Sequence, residues 1–451
     1  MIYDMVVIGA GPGGHAAALE AASLGASVAI VEKEAWGGTC VHWGCIPTKT
    51  LLACSGNVAD IKKLKRMGIS VGEPTVDLSA MKRHQHQMVR ISELGVRKSL
   101  EDSGVRRIEG EGTLSSPGAV TVTHPDGDTM TITAQHTVIA WGSQPAALPF
   151  CGFSDRIISS REILSMETLP ERLVIVGGGA IGVELATIAA ELGSAVTIIE
   201  LMDQLLPNEE RDAAELLTGT LKKRGVEIYT STSVESIEDK GDRVEVRGAK
   251  RDGSLIECAA DYALICIGRK PVIRTVELEK LGIAYDRRGV LIDGHCMTNI
   301  GSVYAVGDVT GGVLLAHRAA TQGRAVASHI FGNGSIPWCD DIIPAVVYTH
   351  PSLARVGLTE AQARTRGIRM EVIKGDYGGN IIARTEMMGK GFVKMIFHDD
   401  RLIGVTIVGE HAADLIASMS LAVANGMTKL QLQSWVIPHP TLSELLNSHI
   451  S

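Results

Sequence analysis

Asp4-Met5-Val6-Val7-Ile8-Gly9-Ala10-Gly11-Pro12-Gly13-Gly14 reads as a strand running through a glycine turn into a helix. Its unbroken apolar run suits a parallel strand buried on both faces. Gly9, Gly11 and Gly14 fit the pattern G-x-G-x-x-G. The first glycine permits the tight turn, the second lets a pyrophosphate approach the backbone, and the third lets helix and strand pack closely. The next strand, Ser27 to Val31, ends at Glu32, 23 positions past Gly9. A carboxylate there can bind the hydroxyls of an adenosine ribose, which strengthens an otherwise weak glycine motif.

The same unit returns downstream. Leu173 to Val176 leads into Gly177, Gly179 and Gly182, and the strand Ala195 to Ile199 ends at Glu200, again 23 positions from the first glycine. A second echo joins Val138–Pro145 (VIAWGSQP) to Leu264–Pro271 (LICIGRKP), each an apolar strand, then Gly, then Pro three residues on. Two dinucleotide-binding domains of one plan, the second inserted in the first, account for both echoes. The fold class is therefore α/β, with two Rossmann-like domains. After Glu200 come Leu201, Met202, Asp203 and Gln204, with no base among them. A carboxylate repels a 2′-phosphate, so the second site selects NAD over NADP.

Between the first two strands and the rest lies Gly37-Gly38-Thr39-Cys40-Val41-His42-Trp43-Gly44-Cys45-Ile46-Pro47-Thr48-Lys49. Two cysteines five residues apart would lie about 8.7 Å apart, Cα to Cα, in an ideal helix. A disulfide needs roughly 4.4–6.8 Å. Closure therefore demands a local break in the helix, for which Gly44 and Pro47 supply reasons. A strained, accessible disulfide is of the labile, catalytic kind. Lys49 follows Cys45 by one turn on the same helical face. Near the other end of the chain, His439 sits between Pro438 and Pro440, five residues before Glu444. A carboxylate so placed can hold one imidazole nitrogen and leave the other as a base.

The remaining sequence narrows the class. With 451 residues the chain needs two to four domains. Fifty glycines and 4% aromatics without a G-X-Y period suit many strand-to-helix turns. A net charge of −8 with no long basic block argues against nucleic-acid binding, and no apolar run is long enough to span a membrane. No leader-like segment precedes the first strand, so a cytoplasmic location is expected. Eight cysteines are too sparse for a disulfide scaffold. Cys54, Cys151, Cys258, Cys266, Cys296 and Cys339 show no metal-ligand spacing and read as small apolar fillers; no metal site is expected.

A polar helix is expected over Met81–Ser99 and a hairpin turn at Pro125-Asp126-Gly127. A third strand and turn span Val303–Val309, with Asp308 past the strand end, and a helix follows over Leu314–Ile330. From about Trp338 the pattern changes to alternating strands (GFVKMIF, LIGVTIV) and two helices, Ala412–Asn425 and Leu430–Trp435. This reads as a separate α+β domain suited to a dimer interface. The expected boundaries are 1–147, 148–265, 266–338 (continuing the first domain) and 339–451.

The glycine loop, the GGTCVHWGCIPTK run and HPTLSE together resemble the dihydrolipoamide dehydrogenase branch of the FAD-dependent pyridine nucleotide–disulfide oxidoreductases, over essentially the whole chain. The resemblance implies FAD at Gly9, Gly11, Gly14 and Glu32, and NAD at Gly177, Gly179, Gly182 and Glu200. It further implies that Lys49, Gly142, Gly268, Asp308, Ala316 and His317 meet the cofactors, Asp308 at the ribityl chain. By the same resemblance Cys40 exchanges with substrate sulfur and Cys45 faces the flavin as a thiolate. Lys49 pairs with Glu184, holding a positive charge by the flavin. His439 and Glu444 deprotonate the substrate thiol across a homodimer interface. The implied partners are lipoyl domains of 2-oxo acid dehydrogenase or glycine cleavage complexes.

The chain departs from that pattern at His42, Trp43, Trp141 and Val272. His42 is either a second base near the thiols or a residue making one local hydrogen bond. The rival functions are reduction of glutathione, coenzyme A or mercuric substrates, and a docked component without chemistry. The last cysteine is Cys339, so the terminal pair usual in mercuric reductases is missing. The complete set Cys40, Cys45, Lys49, His439 and Glu444 argues against a chemically silent role.

Overall fold

The computed structural model describes residues 2–332, 334 and 338–450. They form two compact units, one within residues 2–50, 82–146 and 269–340, the other within residues 51–81, 147–268 and 341–450.

In the first unit, Ile2–Ile8 runs parallel between Val28–Glu32 and Thr129–Ile139, with Val7 opposite Ile30 on one side and Val138 on the other. Arg106–Glu109 adds to the outer edge of Val28–Glu32, and Val303–Ala305 pairs parallel with Thr129–Ile139. Met5, Val6 and Val7 are fully buried, as a strand covered on both faces requires. The long strand Thr129–Ile139 also begins an antiparallel meander with Ala119–Thr123 and Glu111–Ser116. The expected turn closes it: the Gly127 N–H donates to the His124 carbonyl.

Helix Pro12–Ser23 packs on this sheet through Ala17, Ala18 and Ala21. Its other neighbour is helix Ala316–Phe331. The two approach closely because residue 323 is glycine; a Cβ there would sit 2.3 Å from the Gly13 carbonyl oxygen. The polar helix expected over Met81–Ser99 spans Leu78–Asp102.

In the second unit, the parallel order is Glu227–Tyr229, Ala195–Ile199, Arg172–Val176, Tyr262–Ile265, Ile157–Ile158. Ile175 faces Ile198 and Leu264, repeating the setting of Val7. Helix Ala180–Glu191 buries Val183, Leu185, Ala186 and Ile188. At about 1.5–3 kcal/mol per buried aliphatic side chain, this one helix face outweighs the conformational preferences of its residues. An antiparallel sheet of Thr232–Asp239, Val244–Lys250 and Leu255–Ala260, which the sequence reading did not foresee, follows.

The carboxy-terminal part of this unit is α+β, as expected. Phe392–His398 and Arg401–Gly409 pair antiparallel with Met395 opposite Val405, and helix Ala412–Ala424 covers them. The last expected helix is shorter than its apolar pattern suggests. It spans Lys429–Gln433, started by a capping box of Thr428 and Gln431, and Trp435 lies beyond it. Lys394 is buried among Glu210, Asp212 and Glu360, at 3.3, 2.9 and 2.7 Å. Among the described residues no helix is long and apolar enough to cross a membrane.

Candidate active site

The two glycine loops have nearly superposable backbone chemistry. Gly9 and Gly177 both have φ +108°, and a Cβ on either would strike a carbonyl oxygen, Ala140 at 2.3 Å or Cys266 at 2.4 Å. A Cβ on Gly14 would lie 1.9 Å from the Gly9 carbonyl oxygen, and one on Gly182 would lie 2.1 Å from that of Gly177. Gly11 and Gly179 face open space and cap their helices without any side-chain acceptor. Each helix therefore presents uncapped N–H groups beside a concavity that a Cβ would fill, which fits a dinucleotide pyrophosphate.

The acidic residues complete each copy. Glu32 accepts from the Ala10 N–H at 2.7 Å and the Glu34 N–H at 2.9 Å. Glu200, itself buried, accepts from the Gly178 N–H at 2.6 Å and the Met202 N–H at 2.7 Å. Both carboxylates are thus held at the strand end beside their glycine loops.

Around the cysteines the helix is broken, as closure of the pair demands. Gly38–His42 and Cys45–Leu64 are separate helices, interrupted at Trp43–Gly44. Gly44 passes so close to the preceding turn that a Cβ would lie 2.9 Å from the Thr39 carbonyl oxygen and 3.4 Å from the Cys40 Cα. Both cysteines are thiols in contact. The hydrogen bond with Cys45, burial and the charge on Cys45 all push the Cys40 thiol well above its ordinary range, with Lys49 acting the other way. The two sulfurs titrate as a coupled pair.

A polar cluster adjoins Cys45. Arg269 donates to the Ser143 hydroxyl at 2.8 Å and the Ser143 carbonyl at 2.7 Å, with the Thr39 hydroxyl at 3.5 Å. The Ser143 hydroxyl donates in turn to Asp308. Burial lowers the pKa of Arg269, while Asp308 and Cys45 pull it back up. This brings a cation to Cys45 that the sequence reading missed. Its signal was present in the echo: Gly142-Ser143 and Gly268-Arg269 occupy equivalent slots, and Ser143–Pro145 pairs antiparallel with Arg269–Pro271.

His42, Trp43, Trp141 and Val272 each make local contacts. His42 Nε2 bonds the Trp36 carbonyl at 3.1 Å and lies 4.0 Å from Glu93, the local bond that the sequence reading offered as one alternative. Trp43 lies against His42, ring centroids 5.3 Å apart. Trp141 is partly buried under the Arg274 guanidinium, and the Val272 N–H donates to the Gly142 carbonyl. Cys266 and Cys296 are buried, and burial pushes each thiol up to about 12. Cys339 is exposed, so the filler reading fails there.

His439 lies on an exposed turn with its Nδ1 2.8 Å from Glu444 Oε1. A carboxylate can only accept, so Nδ1 carries the proton and Nε2 is the basic nitrogen. The bonds from His439 and from the Thr441 N–H hold the Glu444 carboxyl below its ordinary range. Lys49 lies in the first turn of Cys45–Leu64 in the first unit. Glu184 is buried in the second, where it accepts from the Tyr348 N–H at 2.9 Å. Asp308 sits in the turn Gly307–Thr310, and Ala316 and His317 open helix Ala316–Phe331 beside the first glycine loop's helix.

Residues 3–323 match the family model of pyridine nucleotide-disulphide oxidoreductases, and residues 343–450 match that family's dimerisation domain. The dihydrolipoyl dehydrogenase of Bacillus subtilis is 37% identical over 98% of this chain and 94% of its own length. That of Chlorobaculum tepidum is 36% identical, covering 98% and 95%. Among solved structures, LpdA from Mycobacterium tuberculosis is similar with TM-score 0.92 and 29% identity, over 99% of this chain and 98% of that one. The HOCl-induced flavoprotein disulfide reductase RclA of Escherichia coli is similar with TM-score 0.86 and 28% identity, over 99% of both chains.

Proposed function

The chain belongs to the pyridine nucleotide-disulphide oxidoreductases, with FAD and NAD as cofactors, and from that premise we propose that it oxidises dihydrolipoyl groups with NAD. Bound FAD supplies a two-electron relay and NAD the final hydride acceptor. The first glycine loop with Glu32 holds FAD and the second with Glu200 holds NAD. Gly142, Gly268, Asp308, Ala316 and His317 complete the cofactor contacts. Residues 1–147 and 266–338 form the flavin domain, 148–265 the NAD domain, and 339–451 the dimerisation domain of a homodimer. The enzyme works in the cytoplasm on lipoyl domains of 2-oxo acid dehydrogenase or glycine cleavage complexes.

His439 takes the proton of one substrate thiol, and the thiolate attacks the Cys40 sulfur of the oxidised pair. The Cys40–Cys45 bond breaks, and Cys45 leaves as the thiolate, where Arg269 and Lys49 favour its charge. His439, its first proton released to solvent, then deprotonates the second substrate thiol, which attacks the substrate sulfur of the mixed disulfide. The substrate closes to its own disulfide, and Cys40 leaves and takes up a proton. The raised pKa of Cys40 favours its thiol form, so the proton taken by His439 has a destination. Lys49 keeps a fixed positive charge near the flavin.

The observation that carries this reading is the preformed His439–Glu444 pair on an exposed turn, in a chain that also keeps both redox cysteines. The experiment is a steady-state assay of purified protein with dihydrolipoamide and NAD, beside glutathione disulfide with NADH or NADPH. Turnover of dihydrolipoamide at least a hundredfold above the other pairs supports the proposal; a preference for glutathione disulfide overturns it.

A further inference from the structure

We infer that Asn380 is the positioning residue for the His439–Glu444 pair, an inference that rests on the base role proposed for His439. The His439 side chain is 74% exposed, so packing does little to fix its ring. Its orientation must come from the turn that carries it. Within that turn the Thr441 N–H donates to Glu444 Oε2 at 2.9 Å and the Thr441 hydroxyl donates to the Pro438 carbonyl at 2.8 Å. These bonds set the shape of the turn but not its place on the protein.

Besides the buried Leu445 and Leu446 that follow it, a bond from Asn380, 61 positions earlier, ties the turn to the protein. Its Nδ2 donates to the Thr441 carbonyl at 2.9 Å. Its Oδ1 accepts from the Ala383 N–H at 3.1 Å, capping helix Ile381–Thr385. The residue is buried, and its own N–H donates to the carbonyl of Tyr377. Tyr377 is 1% exposed and its hydroxyl donates to the Glu410 carbonyl at 2.8 Å. The amide therefore stands on a rigid support and uses a donor toward one segment and an acceptor toward another. Aspartate has the same shape but would set an oxygen against the Thr441 carbonyl. Serine keeps a helix-capping oxygen but is too short to reach Thr441.

The test compares Asn380→Asp, Asn380→Ser and His439→Ala in the full-length, flavin-loaded protein. Both Asn380 variants keep an oxygen that can cap the helix, and aspartate and serine are good caps. Each is assayed for dihydrolipoamide oxidation with NAD over pH, and for NADH oxidation by ferricyanide, which needs no thiol deprotonation. The inference expects dithiol kcat to fall about tenfold or more in both. It also expects the acid limb of the kcat profile to move by at least half a pH unit and the ferricyanide rate to stay within twofold. Wild-type kcat and profile in both variants, with His439→Ala inactive, would overturn the positioning role and leave the base intact. Equal losses in the two assays, or failure of both variants to fold, would mean general structural support and also overturn it. A fully active His439→Ala would instead overturn the base reading itself.

Discussion

Replacement of Glu200 tests the assignment of the second nucleotide site most directly. The carboxylate is 7% exposed and fixed by two backbone N–H groups, at 2.6 and 2.7 Å, so it cannot swing away from an incoming ribose. A 2′-phosphate entering that position would stand about 4 Å from it. At an effective dielectric constant of about 20, two unit charges at that distance repel by about 4 kcal/mol. That is roughly a thousandfold in kcat/KM. The unmutated protein should prefer NAD to NADP by about that factor. Glu200→Gln removes the charge but keeps an acceptor, so the preference should drop to roughly tenfold with most NAD affinity retained. Glu200→Ala also removes the ribose acceptors; at about 1.5–3 kcal/mol per charge-assisted bond, NAD efficiency itself should fall at least tenfold. Steady-state kcat/KM for both cofactors, with thermal melts to confirm folding, measures all of this. If Gln and Ala variants that melt like the parent keep the thousandfold preference, the carboxylate is not what excludes the phosphate.

Three other outcomes are expected. Cys45→Ser should abolish the long-wavelength thiolate–flavin band that appears on two-electron reduction, and Cys40→Ser should show the band without reduction; absorbance spectra reversed between the two variants would exchange their roles. Lys394→Ala strands Glu210, Asp212 and Glu360 around a buried position and should cost about 3–5 kcal/mol in urea unfolding. Burial opposes charge on Asp212, but hydrogen bonds to Lys374 and Lys394 outweigh it and hold the carboxyl below its ordinary range. Its stabilisation is therefore full above the ordinary carboxylate pKa of about 4 and is lost as pH falls through the folded value. Lys394→Ala should flatten that acid limb of stability, and an unchanged slope would exclude Asp212 as its source. Isolated mixed dimers of Cys45→Ser with His439→Ala should recover about half of wild-type dithiol activity if the site is shared between subunits; recovery indistinguishable from zero, with flavin content normal, would place His439 in its own chain's site.

Much of the fold was legible because its strongest signals are steric. Gly9, Gly14, Gly177 and Gly182 sit where a Cβ would collide with backbone oxygen, so no other residue fits and the spacing to Glu32 and Glu200 is fixed by one strand-turn-helix-strand length. The helix break at Trp43–Gly44 was legible for a similar reason: an unbroken helix cannot bring Cys40 and Cys45 together. The sheet Thr232–Ala260 was not. Only alternate residues such as Val244, Val246 and Ile256 are buried, with charged residues between them, the alternation of a half-exposed strand, which the sequence reading passed over. Asn380 was invisible because its bond reaches Thr441, 61 positions away, and Asn380 itself belongs to no motif.

Arg269 shows where internal duplication informs and where it misleads. Copying the first echo onto the second locates the backbone correctly: each apolar strand ends at a glycine of positive φ, Gly142 at +74° and Gly268 at +113°, before a short extended segment. It would also suggest that the second copy's side chains serve the second nucleotide. The two extended segments instead pair with each other, with Lys270 opposite Gln144 at the centre. That antiparallel exchange carries Arg269 back to Ser143 and Asp308, beside Cys45 and within the first copy's unit. A partly buried guanidinium in that position favours negative charge on Cys45. The repeat therefore fixes where residue 269 stands, while its chemistry follows from the neighbour that strand pairing gives it.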